Sequence, residues 1–150
     1  ATDYARPDNQ VFEYTDTLSL PIDPAKNVGA AIGSVVSVGS IFGIMLTNVG
    51  LTAAQIAEKA DADTCYMPCK HTLSGNNRPG YATVRVRGGA WKIKGVAYSG
   101  AKAVGDAVYA HQDGDHVTVN FTASGGTRIG FLYQAIPAVG STADAIVVLY

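Results

Sequence analysis

Charge and cysteine are both scarce in this chain. Of its 150 residues, 15% are charged, and the formal net charge is −1. Lysine and arginine occur singly or as spaced pairs, so the basic surface typical of nucleic-acid binders is missing and we expect no nucleic-acid partner. Cysteine occurs twice, at Cys65 and Cys69, which is too few and too close for a disulfide framework. We interpret both as reduced thiols made in a cytosol.

Long apolar runs are also absent. No stretch approaches the roughly 20 apolar residues that a membrane-spanning helix requires, because glycine, serine or asparagine interrupts the longest runs. A transmembrane role and a membrane partner are therefore not expected. Residues 1–4 lack a basic region followed by an apolar one, so we expect no secretory signal in the sequence as given.

The common catalytic motifs are missing too. The sequence has no Gly-x-Ser-x-Gly elbow, no His-Glu-x-x-His helix and no phosphate-binding glycine loop followed by Lys-Ser or Lys-Thr. His111 and His116 flank Asp113-Gly114-Asp115, a candidate acid–base cluster, but Asp-Gly between alternating residues is first a signal for a β-hairpin turn. A calcium site at Asp113 and Asp115 would need the further oxygen ligands of an EF-type loop, which the sequence lacks there. We therefore expect a protein that is not an enzyme.

A metal site is the other chemistry that the sequence raises. Cys65, Cys69 and His71 bring soft ligands together, and Asp61 or Asp63 could complete a set of four. The spacing of the cysteines differs from that of the common zinc knuckles, and no second Cys/His pair occurs elsewhere. We expect no metal and no cofactor. A Cys65–Cys69 disulfide is a minor alternative that requires an oxidising environment.

Length and composition indicate one globular domain with many turns. Hydrophobic residues make up 47% of the chain, and glycine occurs 17 times. Residues 1–27 are polar and interrupted by prolines, which predicts an extended N-terminal arm before a single β-rich domain over residues 28–150. The arm cannot bury Tyr4, Phe12 and Tyr14 by itself, so these rings either return to the domain or dock on a neighbour.

One segment of the domain differs from the β-rich pattern. Residues 51–60 combine a capping Thr52 with alanine, glutamine, glutamate and lysine, which favour a short helix. Residues 61–80 are polar and contain Gly75-Asn76-Asn77 and Pro79-Gly80, which are strong turn signals. We therefore predict an inserted helix and loop at 51–80, exposed between strands.

Alternation around Val84 and Ile93 predicts a hairpin with a cationic outer face. The apolar set is Ala82, Val84, Val86, Trp91 and Ile93, and the polar set is Thr83, Arg85, Arg87, Lys92 and Lys94. Gly88-Gly89 between the two strands is typical of a hairpin turn. Trp91 either fills the core or joins the cations in a contact surface. The cations either face solvent or bind the acidic surface of a partner.

Residues 32–44 predict two short strands joined at a glycine turn. Two later segments complete the β pattern. Residues 116–122 alternate between polar and apolar positions, and residues 145–150 are apolar at successive positions, as expected of a strand covered on both faces. Many short strands separated by turns predict an all-β fold, a small β-barrel or sandwich.

A series of short motifs follows the N-terminal arm in a fixed order: Gly33 to Gly39, Gly89 to Lys94, Val104 to Tyr109, Gly126 to Gly130 and Ala145 to Tyr150. This series resembles a family of small capsid decoration (cement) proteins of tailed bacteriophages. In that family the corresponding segments are a Gly-x-Val-Val-x-Val-Gly-type hairpin, a Gly-x-Trp-like strand, a Val-Gly-Asp-x-Val-Tyr-type segment, a Gly-Thr-Arg-Ile-Gly-type strand and an apolar closing strand. The chain departs from the family between Gly50 and Tyr81, where it inserts the predicted helix and loop.

The resemblance implies a structural virion protein without catalytic residues. Such a protein is made in the host cytoplasm, binds the outer surface of the phage head and bridges major capsid subunits to stabilise the DNA-filled capsid. Capsid quasi-symmetry favours a homo-oligomer, for which we expect a trimer. The residues expected to contact the capsid or another subunit are Tyr4, Phe12, Tyr14, Arg85, Arg87 and Lys92.

The alternative is a free-standing β-rich binding module that recognises carbohydrate or protein. Carbohydrate recognition would need an exposed aromatic platform. Trp91, Tyr98, Tyr109 and Tyr133 could supply one if they shared a face.

Overall fold

The structure is a computed structural model that describes residues 17–50 and 79–150, and within these ranges the protein is all-β, as predicted. The strands are β1 (Thr17–Pro21), β2 (Val35–Val38), β3 (Ile41–Met45), β4 (Tyr81–Arg85), β5 (Ala90–Ala97), β6 (Ala107–Asp113), β7 (His116–Asn120), β8 (Thr127–Leu132) and β9 (Thr142–Leu149). Strands β1–β4 form an antiparallel sheet in the order β1-β4-β3-β2, and β5–β9 form a closed barrel in the order β5-β7-β6-β8-β9. The predicted helix lies outside the described residues.

The sheet contains the predicted glycine-turn hairpin and the predicted alternation on β4. β2 and β3 form a hairpin in which Val38 pairs with Ile41, which confirms the expected pair of strands joined at a glycine turn. On β4, Ala82 and Val84 are buried while the residues between them are half-buried, as expected of a strand with one apolar face. The sheet core consists of Ile22, Val36, Met45, Ala82 and Val84.

The β2–β3 hairpin is shared between two cores because its side chains alternate. Val36 and Met45 belong to the sheet core, whereas Val35, Phe42 and Ile44 pack with the barrel core. Successive residues of a strand point to opposite faces, so one hairpin supplies apolar groups to both. The sheet therefore lies against the barrel through β2 and β3.

The barrel encloses the larger core. Its buried side chains are Ile93, Val96, Val108, Ala110, Val119, Ile129, Leu132, Ile136, Ala145, Val147 and Leu149. β9 lies between β5 and β8, which confirms the expected closing strand. From Ala145 to Leu149 buried positions alternate with half-buried ones. The prediction that both faces are covered is therefore only partly right: one face is buried, and the other is covered in part. Between β5 and β7 the described ladder has a single parallel pair, Ala97 with Asn120.

The predicted hairpin between β4 and β5 is wrong. β4 pairs with β1 and β3, whereas β5 pairs with β9 and β7, so the segment between them crosses from sheet to barrel. Gly88 and Gly89 have φ angles of 90° and 80°, which are left-handed conformations that favour glycine. Gly88 N donates to Leu149 O at 3.0 Å and Leu149 N donates to Gly89 O at 3.1 Å. The two glycines therefore extend the end of β9 instead of folding β5 onto β4.

The second half of the predicted arm is part of the sheet. β1 covers residues 17–21 and pairs with β4 along its whole length. Ile22 and Asn27 follow it and are 8% and 6% exposed. The expected boundary at residue 27 therefore falls after the first strand. Tyr4, Phe12 and Tyr14 lie outside the described residues.

A polar contact joins the sheet side of the molecule to the barrel. Asn27 Nδ2 donates to Ser37 O at 3.0 Å, and Ser37 N donates to Asn27 Oδ1 at 2.8 Å. The Ser37 hydroxyl donates to Gln112 Oε1 on β6. Gln112 Nε2 in turn donates to Lys26 O at 2.8 Å. These bonds connect β2 and the segment before it to the β6–β7 hairpin.

Candidate interaction surface

Two of the three predicted cationic contact residues in the described ranges meet at the junction between sheet and barrel. Arg85 Nε donates to Arg87 O at 3.0 Å, and the Arg85 guanidinium carbon lies 6.0 Å from the centre of the Trp91 ring. This distance is at the outer limit of a cation–π contact. Arg85 is therefore half-buried along the junction, and its hydrogen bond helps to position the backbone of Arg87.

Trp91 combines the two roles that the sequence leaves open. Its ring is half-buried and packs against the barrel core, and its Nε1 donates to Gly88 O at 2.9 Å. The indole N–H is satisfied within the chain, and the ring covers apolar surface. Trp91 thus supports the crossover at Gly88 and the position of Arg85.

Lys92 lies apart from the two arginines. It follows Trp91 on β5, where its Nζ lies 3.9 Å from Asp144 Oδ2 on β9. Together with Lys94 it lines a separate groove of about 480 Å³ near the β5–β7 gap. The three predicted cations therefore do not form one surface, because the strands that carry them belong to different sheets.

Arg87 instead shares a cleft with Arg128, which is not among the predicted contact residues. A cleft of about 230 Å³ is lined by both Arg87 and Arg128, with Tyr150 and Ile41 among its other walls. The Arg128 guanidinium carbon lies 5.8 Å from the centre of the Tyr150 ring. In the sequence, Arg128 stands out only as part of the Gly-Thr-Arg-Ile-Gly-type segment Gly126 to Gly130.

The cleft is walled by side chains from both parts of the fold. Arg87 follows β4 of the sheet, and Arg128 lies on β8 of the barrel. Tyr150 follows β9, is 76% exposed, and meets Phe131 edge to face with ring centres 6.2 Å apart. Ile41 begins β3 and is 39% exposed. The surface therefore combines two cations with accessible apolar groups.

The candidate acid–base cluster is a hairpin turn, as predicted. β6 and β7 pair up to Asp113 with His116, so Gly114 and Asp115 form the turn. His116 Nδ1 lies 2.9 Å from Asp115 Oδ1, and its Nε2 lies 3.6 Å from Asp113 Oδ2. The hydrogen bond with Asp115 raises the pKa of His116 and lowers the pKa of Asp115. Both side chains are exposed at the tip of the hairpin.

The remaining candidate sites are the metal site and the aromatic platform for carbohydrate. In the ranges 17–50 and 79–150, no group of three or more His, Cys, Asp or Glu could hold a metal ion. Cys65, Cys69 and His71 lie outside those ranges. Of the rings proposed as a carbohydrate platform, Tyr98 donates its hydroxyl to Val139 O. The ring pair found among the described residues is Phe131 with Tyr150.

Comparisons with known proteins give no relative to guide the assignment: no family model, no curated protein and no solved structure matches this chain. Within the described ranges, no helix is long and apolar enough to cross a membrane.

Proposed function

We propose that this chain is a structural virion protein that binds the outer surface of a tailed-phage head and bridges major capsid subunits. The resemblance of its ordered motifs to the phage decoration family supports this proposal. The all-β fold agrees with what the resemblance implies. On this proposal the protein is synthesised in the host cytoplasm and acts as a homo-oligomer, with a trimer as the specific expectation.

The observation that carries the proposal is the position of β1. This strand is at the edge of the sheet, and along its length its ladder in the described part of the chain is with β4 alone. An edge strand presents unpaired backbone groups on which a further strand can add. Residues 1–16 join the fold at this edge, so an arm that carries Tyr4, Phe12 and Tyr14 would begin where the sheet can be extended.

Several modest contacts suffice for such a protein. An arm, a cationic junction at Arg85 and Arg87, and Lys92 on a separate strand give each copy more than one contact region. When contacts on an array are made simultaneously, each later contact forms at high effective concentration and the overall affinity rises. Oligomerisation multiplies this effect without requiring an enclosed binding pocket.

The test is the copy number of the chain in purified virions of the source. Quantitative mass spectrometry should find it in near-stoichiometric ratio to the major capsid protein. Its absence, or only a handful of copies per particle, would refute the proposal and favour the free-standing binding module. Heads that lack the protein should also regain it on mixing, and replacing Tyr4, Phe12 and Tyr14 by alanine should reduce the occupancy. The matched control replaces Tyr133, which is exposed on the barrel.

A further inference from the structure

The cleft between sheet and barrel holds two positive charges that are not neutralised inside the described molecule. In residues 17–50 and 79–150 the ion pairs are made by Lys92 and His116, and neither Arg87 nor Arg128 forms one. No acidic side chain lines the cleft. Two guanidinium groups that line one cleft with no acidic side chain beside them favour an anionic ligand.

Backbone hydrogen bonds join β8, β9 and the crossover segment around the cleft. Tyr150 N donates to Ile129 O at 3.0 Å, which joins the end of β9 to β8. Gly88 N donates to Leu149 O, also at 3.0 Å, which joins the segment after Arg87 to β9. These bonds hold the segments carrying the two cations and the Tyr150 ring beside one another. The backbone that carries these side chains is therefore fixed before a ligand binds, which lowers the entropic cost of binding.

We propose that this cleft, lined by Arg87, Arg128, Tyr150 and Ile41, receives a side-chain carboxylate from an acidic, partly apolar segment of a partner protein. Guanidinium groups are planar and bind carboxylates through paired, charge-assisted hydrogen bonds. The Tyr150 ring and Ile41 offer apolar surface for the residues beside that carboxylate. This inference deepens the proposed function, on which the identity of the partner as a capsid subunit rests.

The surroundings favour a protein carboxylate over a nucleic-acid phosphate. Nucleic-acid binding uses a row of cations along a charged backbone, whereas this cleft has two cations and the chain has a net charge of −1. Ile41 and Phe42 on one wall and Tyr150 on another are better matched to a peptide. A mixed acidic and apolar segment satisfies both features of the site.

The test is an NMR titration of the full chain with a defined peptide. The probe is an acetylated and amidated Leu-Ser-Glu-Leu-Glu-Ser-Leu, and its control carries glutamine in place of both glutamates. The side-chain Nε–H signals of Arg87 and Arg128 and the ring signals of Tyr150 should shift together. The glutamine peptide should bind at least about tenfold more weakly, because it loses the charge-assisted bonds.

Single substitutions test whether peptide binding depends on the cleft or only on the overall charge of the protein. Arg87→Gln and Arg128→Gln should each weaken binding of the acidic peptide by about tenfold, whereas Lys94→Gln, which removes an exposed cation from another groove, should change it by less than about twofold. Arg128→Lys keeps the charge but loses the planar fork and should give an intermediate affinity. The backbone amide spectrum of each variant reports whether it is folded.

Three results would overturn the inference: equal binding of the two peptides, an equal loss for Lys94→Gln, or tighter binding of a DNA duplex or inorganic phosphate than of the acidic peptide. The outcome does not depend on the virion experiment. If the chain is absent from virions but binds the acidic peptide, the inference about the cleft stands and the capsid partner is refuted. If the chain is abundant in virions but does not bind the peptide, the proposed function stands and the inference about the cleft is refuted.

Discussion

Replacing Asn27 by alanine should destabilise the protein far more than an ordinary surface substitution. Asn27 is 6% exposed, and its amide accepts from Ser37 N at 2.8 Å and donates to Ser37 O at 3.0 Å. It also donates to Asp23 O at 3.0 Å. Ser37 is itself 4% exposed, so removing the amide leaves its backbone N–H and C=O without a partner and away from water.

The magnitude follows from these two backbone groups. A buried donor or acceptor that loses its partner costs about 1–3 kcal/mol, so the two Ser37 groups together give a loss of about 3 kcal/mol if the site relaxes in part. For a chain of this length, 1 kcal/mol corresponds to a change in Tm of about 2–4 °C. We therefore expect Asn27→Ala to lower Tm by about 6–12 °C.

The assay is thermal and urea unfolding followed by circular dichroism, with Asn120→Ala as the matched control. Asn120 Oδ1 accepts from Thr122 N at 2.9 Å in an exposed position, where water can replace the lost amide. Its truncation should cost no more than about 1 kcal/mol. If Asn27→Ala were no more destabilising than Asn120→Ala, the reasoning from buried hydrogen bonds at Ser37 would be refuted.

Two further predictions concern the barrel. A Cβ at Gly130 would lie 1.8 Å from Val148 O, so Gly130→Ala should force β8 away from β9 and lower Tm by at least about 5 °C in the same assay; an unchanged Tm would contradict the close approach. The raised pKa of His116 should fall toward its ordinary value in Asp115→Asn, measured by NMR titration. The stabilisation from this pair is complete below the ordinary histidine pKa and is lost as the pH rises through the raised one, and an unmoved titration would exclude the Asp115 hydrogen bond as the cause.

Local patterns predicted the parts of the fold that local forces determine. The β2–β3 hairpin, the alternation on β4 and the β6–β7 turn each depend on residues within one short segment. Period-two burial and turn-forming residues act over such distances. The all-β class followed from the repetition of these signals along the chain.

The prediction of a β4–β5 hairpin failed because the conformation of this connection depends on residues far away in the sequence. Gly88-Gly89 has the composition of a hairpin turn, but its hydrogen bonds go to Leu149, about sixty residues later. Whether two glycines reverse the chain or carry it from one sheet to another depends on which strand is available to pair with them. A single sequence carries no signal for that choice.

The same limit explains why only part of the candidate cleft was foreseen. Arg85 and Arg87 are predicted contact residues because they alternate with apolar residues along one segment of the sequence. Arg128 is likewise an exposed residue beside a buried one, but nothing in its neighbourhood points to Arg87. The two cations come together only because β4 ends beside β8 and β9, which is a property of the tertiary fold.

A cleft assembled from two parts depends on how firmly the parts are joined. Arg87 lies in the crossover segment just after β4 of the sheet, and Arg128 lies on β8 of the barrel, so their spacing depends on how the sheet packs on the barrel. Asn27, Ser37 and Gln112 connect the same two parts through a chain of hydrogen bonds, most of them to backbone. A site with two guanidinium groups gains affinity when the backbone that carries them is already in place, because less freedom is lost on binding. The buried amide of Asn27 thus contributes to both stability and the geometry that a carboxylate would meet.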